Sequence, residues 1–292
     1  MPLWKKYHIA NSIQDALSAL TETQGNSRII SGGTDLLLDM QQGRHPAVHT
    51  LVDVTRIEEM NSLEVQGEQL FIGAAVPLNE IIASQIVFVL AQALVEACSL
   101  IGGPQVRNTA TLGGNVGHAL PAADGTIALL ALGADAQIAS PDGMRNISLE
   151  KFFISPGRSC LNPQQEFIVG FRIPIIKPDS ASAFQRVMRP QGVAIAILNM
   201  GIWLKRVGDE IENIRIAIGP GGPVPMRATT TEDYLRAKKI NQNTIATTKE
   251  LLNSETKFRT SPHRSSADYR HHLCGVLLEK VLLTAWSRSQ SP

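Results

Sequence analysis

The chain has 292 residues, of which 43% are hydrophobic and 18% are charged, and its formal net charge is +1. These values allow two ordinary domains with hydrophobic cores, and they exclude a disordered or strongly basic chain. Nucleic acid is therefore not an expected partner.

The apolar stretches of the sequence indicate no membrane association. The residues after Lys5 and Lys6 are largely polar, so the apolar core of a secretory signal is missing there. The longest apolar stretch, residues 86–101, is interrupted by Gln92 and Glu96 and is too short to span a bilayer. We expect a cytoplasmic protein without a membrane partner.

Three cysteines, Cys98, Cys160 and Cys274, lie far apart in the sequence. No pair has the C-x-x-C spacing, so neither a disulfide framework nor an iron–sulfur site is predicted. We expect no metal-binding residues in this chain.

The N-terminal part predicts alternating helix and strand. Asn11 or Ser12 is a suitable N-cap for a helix, because apolar residues recur with helical spacing over residues 13–20. Short buried strands are predicted over residues 28–31 and 50–54. Together they favour a small βαβ-like unit around a glycine turn.

The middle of the chain predicts a second unit. Residues 63–65 and 70–74 form a candidate hairpin, and residues 91–98 are a candidate helix. A further helix is expected over residues 126–134. Residues 166–173 alternate apolar and polar side chains, which is typical of a half-buried strand.

The C-terminal part predicts strands followed by helices, after a domain boundary in the proline- and serine-containing segment 174–182. Three strand candidates cover residues 183–188, 194–204 and 211–218, and short links between them favour an antiparallel sheet. Helices are expected to begin at Thr231, over residues 244–252 and over residues 266–286. This order suggests a sheet covered by helices on one side.

Two glycine-rich stretches carry the candidate function. The first glycine segment, residues 28–35 (RIISGGTD), leads from a strand into a helix; the second, residues 101–134, contains Gly102-Gly103 and Gly113-Gly114-Asn115. Glycine lets backbone N–H groups turn toward an anion, and helix N-termini favour phosphate. Either pair could also be a plain tight turn. The dinucleotide fingerprint G-x-G-x-x-G and the phosphate loop G-x-x-x-x-G-K-[ST] are absent.

These two stretches, SGGTDLLLDM (31–40) and GPQVRNTATLGGNVGHALPAADGTIALLALGA (103–134), closely resemble the FAD-binding subunit of the molybdenum hydroxylases, the family of xanthine dehydrogenase and carbon monoxide dehydrogenase. Residues 215–227 and 265–278 resemble that family's C-terminal domain. The resemblance covers nearly the whole chain. It implies an α+β fold: a two-subdomain, PCMH-type FAD-binding domain, then an antiparallel three-stranded sheet covered by helices.

The resemblance also implies domain limits. The FAD-binding domain would cover residues 1–176, with subdomains of about 1–56 and 57–176. The C-terminal domain, like that of carbon monoxide dehydrogenase flavoprotein, would cover residues 177–292.

The family's FAD contacts carry over to matching positions of this sequence. Residues 29–36 would wrap the pyrophosphate, residues 111–115 would line the same crevice, Ile101 would touch the flavin side and Ile168 would flank the adenine. Asp124 is either a ribityl-hydroxyl acceptor or an N-cap of the following helix, or both. The expected cofactor-binding residues are Ile29, Ile30, Ser31, Gly32, Gly33, Thr34, Asp35, Leu36, Ile101, Thr111, Leu112, Gly113, Gly114, Asn115, Asp124, Ile168 and Gln185.

One stretch departs from the family pattern. Xanthine dehydrogenase-like members have a flavin-directed lysine near Gln185, and the family's acid a few residues later is replaced by Val193. A basic role could pass to Arg186 or Arg189, or either arginine could lie on a solvated strand face. His118 is interpreted as a surface or hydrogen-bonding residue outside the site.

The predicted function is that of an FAD-carrying subunit with no catalytic acid or base of its own. Electrons would pass from a 2Fe-2S small subunit through FAD to NAD or another acceptor, and the substrate would react on a molybdenum-cofactor large subunit. The complex would be a heterotrimer, either single or dimerised. Two alternatives remain open: a self-contained FAD-dependent oxidase or dehydrogenase, and a flavin-free scaffold of the same fold.

Overall fold

A computed structural model describes residues 2–21, 26–175, 177–189, 195–262 and 264–290. Its helices are α1 (Ile13–Thr21), α2 (Leu36–Gln41), α3 (Glu58–Asn61), α4 (Leu78–Ala83), α5 (Gln85–Leu90), α6 (Gln92–Leu100), α7 (Pro104–Arg107), α8 (Leu112–Gly117), α9 (Asp124–Leu132), α10 (Thr229–Leu235), α11 (Gln242–Glu255) and α12 (Ala267–Arg288). Its strands are β1 (Trp4–Ile9), β2 (Ser27–Ile30), β3 (Val48–Asp53), β4 (Leu63–Gln66), β5 (Gln69–Gly73), β6 (Asp135–Ser140), β7 (Gly143–Ser148), β8 (Phe153–Ser155), β9 (Arg158–Ser159), β10 (Phe167–Pro174), β11 (Ser180–Val187), β12 (Leu198–Val207), β13 (Glu210–Gly219) and β14 (Met226–Arg227). None of these helices combines the length and the apolar character that a membrane span requires.

The first sheet is parallel, with the strand order β1-β3-β2. Ser12 caps α1, because its Oγ accepts a hydrogen bond from the backbone N–H of Asp15 at 3.1 Å. Strand β2, helix α2 and strand β3 form the predicted βαβ unit. The loop of the first glycine segment therefore lies at the carboxyl end of β2 and the amino end of α2, where backbone N–H groups are free to bind an anion.

The second sheet is antiparallel, with the order β4-β5-β10-β6-β7. Strands β4 and β5 form the predicted hairpin, and β10 returns from later in the chain to lie between β5 and β6. The pairing of β10 with β6 shifts register between Ile168 and Gly170. Such a bulge changes the direction in which nearby side chains point, and Ile168 lies in the cavity wall described below.

Helix α9 is buried along its whole length. It contacts α6, α8 and β10 of the N-terminal part and strands β12 and β13 of the C-terminal sheet. Gly201 permits the close approach, because a Cβ at that position would lie 3.2 Å from the carbonyl oxygen of Ile127. A helix that is apolar on every side belongs inside a core. Helix α9 thus joins the two parts of the chain.

The C-terminal sheet has the antiparallel order β11-β12-β13-β14. The two-residue strand β14 makes it four-stranded, where the sequence predicted three strands. One face packs against α10 and α12, as expected, while helices α6 and α9 contact the same sheet from the N-terminal part. Side chains alternate between the two sides: Ala183 and Val187 join the C-terminal core, and Phe184 joins the N-terminal core.

Most of the predicted elements are confirmed, with shifted ends. The helix predicted over residues 126–134 begins two residues earlier, at Asp124. The strand predicted from Ala194 begins at Leu198, and Ala194 itself lies outside the described residues. The sheet with consecutive antiparallel strands followed by helices is present as predicted.

Candidate functional site

A cavity of about 1630 Å³ lies where the two glycine segments meet the C-terminal domain. This exceeds the range of roughly 300–1,000 Å³ that is usual for small-molecule pockets. All but two of the predicted cofactor-binding residues line it, namely Ile29, Ile30, Ser31, Gly32, Gly33, Thr34, Asp35, Leu36, Ile101, Thr111, Gly113, Gly114, Asn115, Asp124 and Ile168. The cavity therefore brings together groups that are up to 139 residues apart in the sequence, from Ile29 to Ile168.

The first glycine segment depends on two glycines for different reasons. A Cβ on Gly32 would lie 2.0 Å from the carbonyl oxygen of Thr109, so only glycine allows the two segments to touch. Gly33 has a φ of +68°, a left-handed conformation that side chains disfavour. Beside them, the buried Oγ of Ser31 has no hydrogen-bond partner in the described structure. The segment offers a free hydroxyl at the cavity wall.

The second glycine segment is held by local hydrogen bonds. Thr111 caps α8, since its Oγ1 accepts from the backbone N–H of Gly114 at 3.1 Å. The backbone N–H of Gly113 donates to the Ala74 carbonyl at 2.9 Å. The Asn115 Oδ1 accepts from the backbone N–H of Thr126 at 3.3 Å, which ties the segment to α9. These bonds fix the shape of the loop before any ligand is bound.

His118 connects the two glycine segments. Its Nδ1 lies 3.6 Å from an Asp35 carboxylate oxygen, and its Nε2 lies 3.4 Å from one of Asp39. The hydrogen bond to Asp35 raises the pKa of His118 and, in return, His118 lowers the pKa of Asp35. A position outside the site was expected for His118, but the His118 side chain lines the cavity. The sequence signal for such a histidine contact was the i, i+4 spacing of Asp35 and Asp39, which places both carboxylates on one side of α2.

Asp124 does not cap α9. It is the first helical residue, and Ala123 occupies the cap position without a side-chain hydrogen bond. Its carboxylate is 5% exposed and instead pairs with Arg186 and accepts from Asn199 Nδ2 at 2.6 Å. Burial keeps the pKa of Asp124 above its ordinary value, although Arg186 and Asn199 oppose this. The N-cap alternative for Asp124 is wrong.

Two predicted residues lie outside the cavity lining. Leu112 is fully buried on α8 and packs in the N-terminal core. Gln185 lies on β11 midway between Ala183 and Val187, which both face the C-terminal core. Side chains alternate along a strand, so Arg186 faces the cavity where Gln185 cannot. The side chain that reaches the cavity is therefore one residue after Gln185, the position that the family resemblance implies.

The two arginines of this stretch differ in position. Arg186 is buried, and its Nε has no hydrogen-bond partner in the described part of the chain. Arg189 is exposed, does not line the cavity, and donates from Nη2 to the Arg264 carbonyl at 3.4 Å. Val193, which replaces the family's acid, lies outside the described residues. Of the two candidates for a basic role, the geometry favours Arg186.

Further lining comes from segments that the sequence analysis did not assign to the site. The loop around β8 and β9 supplies Ile154, Cys160 and neighbouring residues, and the C-terminal domain supplies Lys257, Arg259, Arg264 and Arg270. These positions follow no local motif. Among the described residues, no group of three or more His, Cys, Asp and Glu is arranged to hold a metal ion.

Comparisons with known proteins extend these observations. Residues 4–176 match the family model "FAD binding domain in molybdopterin dehydrogenase", and residues 182–285 match "CO dehydrogenase flavoprotein C-terminal domain". The chain is 26% identical to the carbon monoxide dehydrogenase medium chain of Hydrogenophaga pseudoflava, over 97% of each chain. It is 30% identical to the glyceraldehyde dehydrogenase medium chain of Sulfolobus acidocaldarius, over 94% of this chain and 96% of that one.

The three-dimensional structure is similar as well. It matches a chain in the structure of Hydrogenophaga pseudoflava carbon monoxide dehydrogenase lacking the Mo-pyranopterin moiety of its cofactor, with a TM-score of 0.92 and 26% identity over 99% of both chains. The similarity therefore covers both parts of the fold, including the sheet and helices that follow the glycine segments.

Proposed function

Because this chain belongs to the family of FAD-binding subunits of molybdenum hydroxylases, with FAD as its cofactor, we propose that it passes electrons from an iron–sulfur subunit through FAD to NAD or another acceptor. It is a subunit of an FAD-dependent oxidoreductase. The observation that carries the proposal is the cavity in which both glycine segments meet, because that arrangement suits an extended anionic cofactor.

The residues present fit FAD. The cavity has dinucleotide size, and the close contact at Gly32 leaves backbone rather than side chains along its wall. The unpartnered hydroxyl of Ser31 and the unpartnered Nε of Arg186 are buried polar groups that a ligand can satisfy. When bound, the isoalloxazine supplies the redox chemistry, and the protein supplies position and electrostatics.

We propose that different lining residues contact different parts of FAD. The N–H groups around Gly32 and Gly33 and the Ser31 hydroxyl hold the pyrophosphate, while Ile168 packs against the adenine. Asp124 and Arg186 lie at the domain junction, where they hold the flavin end. The chain needs no catalytic acid or base of its own. Leu112 supports the second glycine segment from the core.

We also propose the domain limits 1–176 and 177–292, with subdomains of about 1–56 and 57–176. The separate sheets of the structure and the two matched family models are consistent with these limits.

The partners are a molybdenum-cofactor large subunit and a 2Fe-2S small subunit, in a single or dimerised heterotrimer. The relatives' description as medium chains supports this assembly. A cytoplasmic location is part of the proposal, supported by three free cysteines.

The two alternatives make different demands. A self-contained oxidase requires acid–base groups that are free to act on a substrate, whereas His118 of the cavity wall pairs with Asp35 and Asp39, and Asp124 pairs with Arg186. A flavin-free scaffold has no reason to retain the Gly32 contact and the unpartnered Ser31 hydroxyl. Neither alternative is favoured by a specific observation.

The experiment is purification of the chain alone and co-expressed with its small and large subunits. We expect a yellow protein whose flavin is released on denaturation and identified as FAD. For the co-expressed sample we also expect one complex in size-exclusion chromatography, with molybdenum and iron in the fractions that contain this complex. A colourless chain would support the scaffold, and a yellow monomer that ignores both partners would support the self-contained oxidase.

A further inference from the structure

Helix α6 is joined to the C-terminal domain by a glutamate that contacts two elements at once. The Glu96 Oε1 accepts a hydrogen bond at 2.5 Å from Nη2 of Arg288, the last residue of α12. The other oxygen, Oε2, accepts from the backbone N–H of Phe184 on β11 at 2.7 Å. Arg288 in turn donates from Nη1 to the carbonyl oxygen of Ser182, also on β11, at 2.8 Å. We call Glu96 and Arg288, with these three bonds, the junction clamp.

The junction clamp binds the backbone of an edge strand. Strand β11 is the first in its sheet, so one of its sides has no neighbouring strand within the described residues. An edge strand leaves backbone N–H and C=O groups without partners in the sheet. The clamp binds the N–H of Phe184 and the carbonyl of Ser182. It therefore fixes the position of β11 relative to α6.

These backbone bonds distinguish the clamp from an ordinary surface ion pair. The side chains of Arg288 and Glu96 are 28% and 26% exposed, and a partly exposed pair contributes little by itself. Lys249 and Glu279 form such a pair between α11 and α12, and within the described residues their side chains bond only each other. Charge-assisted hydrogen bonds to fixed backbone groups are stronger and impose one geometry.

A second contact at the same place also joins α6 to β11. The Oγ of the buried Ser182 accepts from the backbone N–H of Ala93 at 3.1 Å. Ala93 belongs to the first turn of α6, where backbone N–H groups have no partner within the helix. The C-terminal domain thus supplies a cap for α6, and the two elements are fastened at two points.

Both fastened elements carry residues of the cavity wall. On β11, Arg186 lies two residues after Phe184, on the same side of the strand, and pairs with Asp124. Helix α6 ends one residue before Ile101, which also lines the cavity. Glu96 itself is not part of the lining. Its contacts therefore reach the cavity only through the elements that it holds.

Resting on the proposed function, we infer that Glu96 is a positioning residue for the flavin end of FAD, because it holds β11 where the Arg186 guanidinium lies in the cavity wall. Loss of the clamp releases the outer edge of β11 two residues before Arg186. A guanidinium donates in a rigid fork, so a small displacement changes the bonds that it can make. The charge that Arg186 presents to the flavin thus depends on Glu96.

The test is potentiometric titration of bound FAD in the full-length chain, for the wild type, Glu96→Ala, Arg186→Gln and the double variant. Glu279→Ala is the matched control, because it also removes the acid of an interhelical ion pair, and neither Glu279 nor its partner lines the cavity. Glu96→Gln is a milder second variant that keeps the size of the side chain and one oxygen for the Phe184 N–H. Hydrogen exchange of the Phe184 amide in the FAD-free chain measures the clamp itself.

We expect Glu96→Ala to lower the flavin potential, by no more than Arg186→Gln does, and Glu96→Gln to lower it less. Glu279→Ala should leave it unchanged. Because Glu96 acts through Arg186, Glu96→Ala should cause no further shift when Arg186→Gln is already present. The Phe184 amide should exchange roughly tenfold faster in Glu96→Ala, as expected for the loss of one hydrogen bond.

Two results would overturn the inference: an unchanged potential in both Glu96 variants, or an equal shift with and without Arg186→Gln. The second result would mean that Glu96 supports the fold without acting through Arg186. A wild-type chain that contains no FAD would overturn the proposed function instead. The Phe184 exchange rates, measured without FAD, would then decide about the clamp, and equal rates in Glu96→Ala and the wild type would refute it.

Discussion

Arg186 on β11 forms a buried ion pair with Asp124, the first residue of α9. The pair joins the C-terminal sheet to the helix that follows the second glycine segment, and Asn199 completes it from β12. Both side chains line the cavity at the junction of the two domains. This single contact links the stability of the domain junction to the wall of the cavity.

Removing one partner of this pair should cost far more stability than removing both charges. Arg186→Gln leaves a buried carboxylate unpaired, which costs about 3–5 kcal/mol in comparable cases. Arg186→Gln combined with Asp124→Asn should recover most of that loss. Urea unfolding of the wild type, the two single variants and the double variant measures the coupling. Additive losses would show that the two side chains do not interact.

The same variant should show a distinct pH dependence. Burial raises the pKa of Asp124, so the folded state binds its proton more tightly than the unfolded state does. Stability contributed by this group is therefore highest below the ordinary aspartate pKa and falls as pH rises through the raised value. Loss of Arg186 should raise this pKa further, so that the fall continues to higher pH. Unfolding at several pH values checks this, and a fall that ends at the same pH in Arg186→Gln as in the wild type would contradict it.

The flavin potential should respond to Arg186 and not to Gln185. A cation beside the reduced flavin contributes roughly 1.5–3 kcal/mol, equivalent to about 65–130 mV for one electron. Arg186→Gln should lower the potential by that order. Gln185→Lys should leave it unchanged, because Gln185 is not part of the cavity lining. Potentiometric titration of the bound flavin measures both effects. A shifted potential in Gln185→Lys would mean that position 185 faces the flavin, as the family resemblance implies.

Contact between the two glycine segments should be required for FAD binding. Gly32→Ala places a methyl group 2.0 Å from the Thr109 carbonyl oxygen, so the segments must separate and FAD should be lost. Gly275→Ala is the matched control, because Gly275 does not line the cavity and its Cβ would meet Lys249 Cδ at an ordinary 3.4 Å. Bound FAD per chain after purification is the readout. Equal FAD content in both variants would mean that contact between the segments is irrelevant to binding.

His118 should make the stability of the FAD site depend on pH. The pKa of His118 is raised by Asp35, so its stabilising effect is complete below about pH 6.5 and is lost as pH rises through the raised value. The pair is partly exposed, and its effect is at most about 1 kcal/mol. His118→Gln should abolish this dependence. Urea unfolding across the pH range provides the test, with His49→Gln as a control, since His49 does not line the cavity.

Cysteine reactivity should report occupancy of the cavity. Cys160 lines it and is half-buried, whereas Cys98 and Cys274 are buried, and burial raises the pKa of Cys274 to about 12. Iodoacetamide should therefore modify Cys160 alone in the folded chain, and more slowly when FAD is bound. Mass spectrometry of the apo and FAD-loaded forms measures both effects. Labelling of Cys98 in the folded state would contradict the buried position of α6.

The elements that were predictable are those with a strong local pattern. Helix α1 has apolar residues at helical spacing and a serine cap, and the glycine segments carry their own composition. The end of a helix is less well defined by the sequence: α9 begins at Asp124, two residues before the predicted start, and the Asp124 carboxylate contacts Arg186 and Asn199 of the C-terminal sheet. The two-residue strand β14 has no local pattern, since it exists only through pairing with β13.

The sequence by itself determined the fold class, the family and most of the residues that line the cavity, because glycine turns and amphipathic spacing act over a few neighbouring residues. Only the tertiary structure decided that Arg186 rather than Gln185 faces the cavity and that His118 joins the two segments. These facts depend on strand alternation and on contacts between distant elements. Burial and charge pairing arise when such elements pack together, and no local pattern encodes them.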